Sequence, residues 1–156
     1  MNDDPLERAE LTFLLGMAFQ LVLGEFVRGV GAAGYQELRP VHGFAFQVLR
    51  HGGATSTELA ERLGVTKQAA GQIVTYLEER GYVRRVEHAG GGRRRLVVLT
   101  DRAHEHLAVA GRVLHALEER VGERLGTGGL AHLRGELAEL VRGLAGEELP
   151  PLRPVW

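Results

Sequence analysis

Two stretches of the chain carry side chains whose types suit contact with a polyanion. In the first, Lys67, Gln68, Gly71, Gln72 and Thr75 fall on one side of a helical period. The carboxamides of Gln68 and Gln72 are of the kind that bonds two edge atoms of an adenine at once. Thr66 stands where that helix would begin, so its hydroxyl and the free first-turn amides suit a phosphate. The second stretch is His88-Ala89-Gly90-Gly91-Gly92-Arg93-Arg94, followed by Arg95. Its glycines make a thin loop, and its arginines suit the narrow minor groove of DNA, where negative potential is enhanced.

Such groups need a scaffold, and the surrounding pattern supplies one. Thr55-Ser56-Thr57-Glu58 reads as a capping box that opens a short helix through Leu59, Ala60 and Leu63. Gly64-Val65 reads as a tight turn, and Thr66 as the cap of a second helix. Ala70, Ile73, Val74 and Leu77 give that helix one core stripe, and Gly81 ends it. The period then changes: Tyr82–Val86 and Arg95–Leu99 are strand-length runs rich in β-branched residues, joined by the basic loop as a hairpin. Arg84 and Arg85 alternate faces, so at most one of them faces the same way as the loop arginines. Helix, turn, helix and basic hairpin together make a winged helix-turn-helix, whose second helix suits the major groove of double-stranded DNA.

The flanks read as long helices. Residues 6–30 are apolar on most sides (Leu11, Phe13, Leu14, Leu15, Met17, Phe19, Leu21, Val22, Leu23, Phe26, Val27), ending at Gly29, Gly31 and Gly34. A helix apolar all round is buried all round, and so small a domain cannot surround it, so a second subunit is expected to cover part of it. Pro40 opens another helix, with Val41, Phe44, Val48 and Ala45 inward, that stops before Gly52 and Gly53. Thr100-Asp101 caps a long helix to about Leu125, with Leu107, Ala110, Val113, Leu114, Leu117 and Val121 on one face. A last helix places Leu130, Leu133, Leu137, Leu140 and Leu144 at alternating spacings of three and four, a seam for packing at a shallow angle. Pro150, Pro151 and Pro154 end regular structure. The expected class is therefore mainly α with a small β-hairpin wing.

Composition narrows the function. With 156 residues, 44% hydrophobic and 25% charged, the chain has the arithmetic of one soluble domain. It has no cysteine, which excludes disulfides, thiolate metal sites and thiol catalysis. The net charge of −1 conceals an asymmetry. Residues 55–102 carry a balance of +3 and the remainder −4, which suits a polyanion at one surface. The uncharged run Leu11–Gly24 is short for a membrane span. It follows an acidic stretch (Asp3, Asp4, Glu7, Glu10), the wrong sign for a secretory signal, so a cytoplasmic protein without membrane contact is expected.

Glu58-Leu59-Ala60-Glu61-Arg62-Leu63-Gly64-Val65-Thr66-Lys67-Gln68, Leu77-Glu78-Glu79-Arg80-Gly81-Tyr82-Val83, Gly92-Arg93-Arg94 and Leu99-Thr100 resemble a MarR-family transcriptional regulator. The resemblance is sharp over residues 55–102 and extends as architecture over the whole chain. It implies one domain over 1–156, with a DNA-binding lobe at 36–100 and dimerisation helices at 6–34 and 101–149. It puts Thr66, Lys67, Gln68, Gln72 and Thr75 on the DNA-facing side of the recognition helix. Arg93 becomes the wing arginine that enters the minor groove, with Arg94 and Arg95 beside it. Two departures stand out. Gly91 occupies the place of an aspartate that usually orients the wing arginine, and Gly71 and Tyr76 replace a small hydroxyl residue and a basic residue. The resemblance further implies a homodimer on a pseudo-palindromic operator, repression of a nearby promoter, and relief by a small lipophilic or aromatic effector. Phe13, Met17, Tyr35, His42, Phe44 and Phe46 are the candidate lining of an effector pocket.

Two rival readings share the fold: a winged-helix protein-interaction module, and an architectural DNA-binding protein of low specificity. Three consecutive arginines at the wing count against the first; the second predicts salt dependence without sequence preference. No nucleophile–base pairing, phosphate loop or paired carboxylates appear, so no enzyme and no cofactor is expected. Seven histidines invite a metal reading, but His104 and His106 point about 200° apart on a helix and cannot share an ion. No metal site is assigned.

Overall fold

In the computed structural model, residues 4–150 are described, so Asp3, Pro151 and Pro154 lie outside the described residues. The order is α1 (Leu11–Ala32), α2 (Pro40–Leu49), β1 (Ala54–Thr55), α3 (Ser56–Leu63), α4 (Lys67–Glu79), β2 (Val83–Glu87), β3 (Arg95–Leu99), α5 (Asp101–Leu125) and α6 (Gly129–Ala145). The three strands form an antiparallel sheet in the order β1-β3-β2, with Arg85 opposite Val97 and Glu87 opposite Arg95. The mainly α class with a β-hairpin wing holds. Only β1 escaped the sequence reading: two residues, pairing Ala54 with Val97, are too short to show a period.

The helix-turn-helix forms for the local reasons its sequence gives. Thr55 Oγ1 accepts from the Glu58 amide at 3.2 Å, and the Thr55 amide donates back to Glu58 Oε2 at 2.7 Å. The Thr55 hydroxyl also donates to Glu58 Oε2, at 2.9 Å, and the Thr55 amide and hydroxyl together hold the Glu58 carboxyl below its ordinary range. Gly64 takes the left-handed conformation that closes α3, and Thr66 Oγ1 accepts from the Ala69 amide at 3.1 Å to open α4. Ala70, Val74 and Leu77 are fully buried, with Ile73 half-buried beside them.

The core lies within residues 38–103. Phe46, Leu49, Leu59, Leu63, Val74, Leu77, Tyr82 and Val97 are its largest fully enclosed side chains. Of the long helices only the start of α5 enters it, through Ala103 with Leu107 packed against it. Of α1 only Val30 is buried, while Leu11, Phe13, Leu21 and Val22 are exposed. No residue of α6 is buried, and its leucine seam leaves Leu133, Leu137 and Leu144 in solvent.

Several expectations need correction. Residues 5–8 form turns, and α1 begins only at Leu11, because the Asp4 carboxylate accepts from the Leu6 amide at 2.9 Å. Gly29 and Gly31 do not break the helix: both lie inside it, and Gly34, at φ +102°, follows its end. Gly29 instead permits a close approach, since a Cβ there would stand 2.6 Å from Val113 Cγ1 of α5. The inward face of α2 is His42, Ala45, Phe46 and Leu49, with Phe44 and Val48 half-buried at its margin. On α5 the buried residues are Ala103, His106, Ala110 and Leu117, while Leu114 is exposed. Thr100 precedes α5 without capping it; its hydroxyl donates to the Gly81 carbonyl at 2.6 Å and ties the wing exit to the end of α4.

At 22 residues, α1 is long and apolar enough to cross a membrane by length and composition. It extends beyond the uncharged run to Glu25 and Arg28, which pair with each other. Arg120 of α5 also reaches Glu25, at 3.2 Å, so α1 is tied to α5 by charge as well as by the Gly29 contact.

Candidate nucleic-acid interface

The helix α4 divides cleanly by burial. Its core stripe faces α2 and α3, and Thr66, Lys67, Gln68, Gln72 and Thr75 are all exposed. Gln68, Gln72 and Thr75 follow the i, i+4, i+7 spacing, so one solvent face carries two carboxamides and a hydroxyl. Capping occupies the Thr66 oxygen as acceptor only, leaving its hydroxyl proton available to a phosphate beside the first-turn amides. Gly71 adjoins this face, and a Cβ there would meet nothing within 4 Å.

Both flanks of α4 are held. On one, Glu78 pairs with Arg85 of β2 at 2.5 Å, fastening α4 to the wing. On the other, the Tyr76 hydroxyl donates to the Glu37 carbonyl at 2.6 Å, and its ring lies between His42, stacked at 4.6 Å, and the Arg80 guanidinium, 3.5 Å from the ring centre. Tyr76 is therefore a strut between α4 and α2, which is why no basic residue stands there. Arg85 is likewise engaged within the protein, leaving Arg84 as the member of that pair without an ion partner among the described residues.

The wing loop brings Arg93, Arg94 and Arg95 together as exposed side chains, none of them in an ion pair among the described residues. Arg95 is already the first residue of β3, opposite Glu87. Gly91 and Gly92 have φ of +74° and +81°, a backbone that an aspartate at position 91 adopts only under strain. The turn geometry thus accounts for the glycine there. With Lys67 exposed across the same lobe, the surface presents cations on a wing and hydrogen-bonding groups on a helix.

Of the candidate effector residues, Tyr35 and Phe46 share an aromatic group around His106 and Tyr82, and the six do not line one cavity together. Phe13 and Met17 are exposed on α1, Phe46 is sealed in the core, and Phe44 is half-buried on α2. His42 is 5% exposed; its Nδ1 accepts from the Arg39 amide at 2.9 Å. Burial, with Arg39 and Arg80 nearby, pushes its pKa down to about 4. Tyr35 meets His106 edge-on at 4.7 Å within an aromatic group that includes Phe46 and Tyr82. His106 Nδ1 is enclosed without a hydrogen-bond partner among the described residues, and burial lowers its pKa.

Sequence reasoning missed a polar junction beside α4. Glu37 Oε1 accepts from the Tyr82 hydroxyl at 2.5 Å and from Arg102 Nη2 at 3.3 Å, while its carbonyl accepts from Tyr76. The Tyr82 bond holds the Glu37 carboxyl below its ordinary range; burial and that bond push the Tyr82 phenol up to about 12. Strand alternation would have pointed Tyr82 inward, but nothing local singles out Glu37. Among the described residues no three histidines or carboxylates lie together as a metal site.

A family model described as the MarR family matches residues 39–94. No curated protein matches the chain. Among solved structures, the transcriptional repressor CouR bound to a 23-mer DNA duplex is 26% identical, covers 91% of this chain and 99% of its own, and superposes with a TM-score of 0.71. A MarR family protein of Mycobacterium tuberculosis in complex with salicylic acid is also 26% identical, covering 86% and 98% with a TM-score of 0.64. MepR, a transcription regulator of a Staphylococcus aureus multidrug efflux pump, shares the fold at 15% identity, 87% and 99% coverage and a TM-score of 0.72.

Proposed function

Residues 39–94 of this chain belong to the MarR family, and on that premise we propose that the protein is a homodimeric, cytoplasmic repressor of a nearby promoter, released by a small lipophilic or aromatic effector. It is a DNA-binding transcriptional regulator and not an enzyme. The observation that carries the reading is the surface of α4 and the wing. Thr66, Lys67, Gln68, Gln72 and Thr75 line one exposed helix side, next to a hairpin whose Arg93, Arg94 and Arg95 are unpaired among the described residues. In this reading the helix enters the major groove, Gln68 and Gln72 meet base edges, and Thr66 and Lys67 meet phosphates. Arg93 enters the adjacent minor groove.

The domain reading assigns residues 36–100 to the DNA-binding lobe and 6–34 with 101–149 to dimerisation, all within one domain spanning 1–156. What supports it is the confinement of the core to residues 38–103 and the exposed leucine and phenylalanine faces of α1 and α6. Apolar surface on that scale in a soluble chain marks an interface. Two-fold pairing then places two recognition helices about one helical turn apart on a pseudo-palindrome. An effector that binds only the spacing unfit for DNA lifts repression by population shift. The solved relative with salicylic acid supports a small aromatic acid as the effector class.

The test is fluorescence anisotropy with the native upstream region and a scrambled duplex across a salt series. Preference for the native region, with binding weakened in Arg93→Ala, is the expected result. Equal affinity for both duplexes, falling together with salt, would establish the architectural reading instead. Absence of binding at low salt would favour a protein-interaction module.

A further inference from the structure

The segment 33–39 joins α1 to α2, and Glu37 within it touches three other elements at once. Its carboxylate takes the Tyr82 hydroxyl at the entry to β2 (2.5 Å) and Arg102 in the first turn of α5 (3.3 Å). Its carbonyl takes the Tyr76 hydroxyl on the flank of α4 at 2.6 Å. Tyr76 follows Thr75 directly and lies one turn beyond Gln72, so this bond fixes the roll of the surface proposed to read DNA. Tyr82 is wholly enclosed, and its ring also carries the Arg102 guanidinium at 4.5 Å. The Tyr82 carbonyl accepts from the Thr100 amide at 3.0 Å, so the start of α5 is bound to the same residue. Every covalent route from α1 or α5 into the lobe therefore passes through this junction.

We propose that Glu37 is a positioning residue: by clamping Tyr76, Tyr82 and Arg102 it sets the attitude of the recognition helix relative to α1 and α5, and thereby the one half-site spacing that a dimer accepts. This rests on the DNA-binding homodimer proposed above and adds what fixes its geometry. Glu37 touches no DNA in this scheme. A rigid junction cannot follow a half-site that is moved, because one inserted base pair displaces it by about 3.4 Å and turns it by about 35°. Hydrogen bonds to an ionised carboxylate are strong and directional, which suits a clamp.

The experiment takes a duplex enriched by the wild-type protein from a random pool and varies the distance between its half-sites by one and two base pairs. Wild type should show one optimum, with affinity falling about tenfold at the neighbouring spacings. Glu37→Ala and Tyr82→Phe should flatten that profile to within about threefold, with the salt slope at the optimum unchanged because no phosphate contact is lost. Tyr82→Phe keeps the enclosed ring and removes only the hydroxyl, and Glu37→Gln should restore the optimum because its amide oxygen still accepts from Tyr82. An unaltered profile in both variants would overturn the assignment, as would a uniform loss at every spacing, the mark of a merely structural role. A second readout does not depend on DNA. The chain has no cysteine, so a spin label at Glu79→Cys, exposed at the end of α4, reports the distance between the two recognition helices of a dimer. A narrow distribution that broadens in Glu37→Ala and Tyr82→Phe supports the clamp even if no duplex is enriched, in which case only the DNA reading falls. An unchanged distribution, or no inter-label distance at all, overturns it.

Discussion

His42 should make the protein lose stability in mild acid. Its ring is 5% exposed, stacks on Tyr76 at 4.6 Å and uses Nδ1 to accept the Arg39 amide at 2.9 Å, so the neutral form is the one built into the fold. A proton on Nδ1 would remove that acceptor and add a cation near Arg39 and Arg80. The folded-state pKa is lowered from 6.5 to about 4, first by burial and then by those two arginines. The unfolded chain therefore binds the proton at higher pH than the folded one, and stability falls from about pH 6.5 downward until the folded pKa near 4 is passed. Between pH 7 and pH 5 linkage gives at most about 2 kcal/mol, and about 1–2 kcal/mol once partial solvent screening is allowed for. Urea unfolding followed by circular dichroism at both pH values measures this. His42→Gln is the control, because its side-chain oxygen can still take the Arg39 amide but does not titrate. His106 and Glu37 remain in both proteins, so the difference between the two pH dependences isolates position 42. Equal losses in wild type and His42→Gln would refute the reasoning.

Three further outcomes follow from the same contacts. Gly29→Ala should destabilise the chain by about 1–2 kcal/mol in urea titration, because crowding Val113 outweighs the gain in helix propensity; Val113→Ala in the same chain should recover most of the loss. Arg93→Ala should lower the salt dependence of operator binding by about one unit of slope, whereas Gln72→Ala should leave the slope alone and relax base preference at one position. Leu21 is 71% exposed and far in sequence from the lobe core, so Leu21→Asp should leave the folded lobe intact while sedimentation shows the dimer shifted to monomer.

Much of this protein is written in short-range pattern. The Thr55–Glu58 capping box, the Gly64 turn, the Thr66 cap, the core stripe of α4 and the glycine-rich wing each depend on residues within a turn or two of one another. Local hydrogen bonds and side-chain period decide such features, so the helix-turn-helix and the exposure of Thr66, Gln68, Gln72 and Arg93 were legible without coordinates. The buried face of α2 was read about one position off. His42 counts as polar in any pattern, yet it is enclosed because Tyr76 and the Arg39 amide satisfy it.

What only the tertiary structure decided has sequence separations of tens of residues. Thr100 spends its hydroxyl on Gly81, Gly29 serves Val113, and Glu37 gathers Tyr76, Tyr82 and Arg102. None of these pairings leaves a periodic trace, because each uses one isolated residue per element. The physical reason is that a cap or stripe is fixed by the geometry of its own helix, whereas a clamp between elements exists only after the core at 38–103 has set their distances.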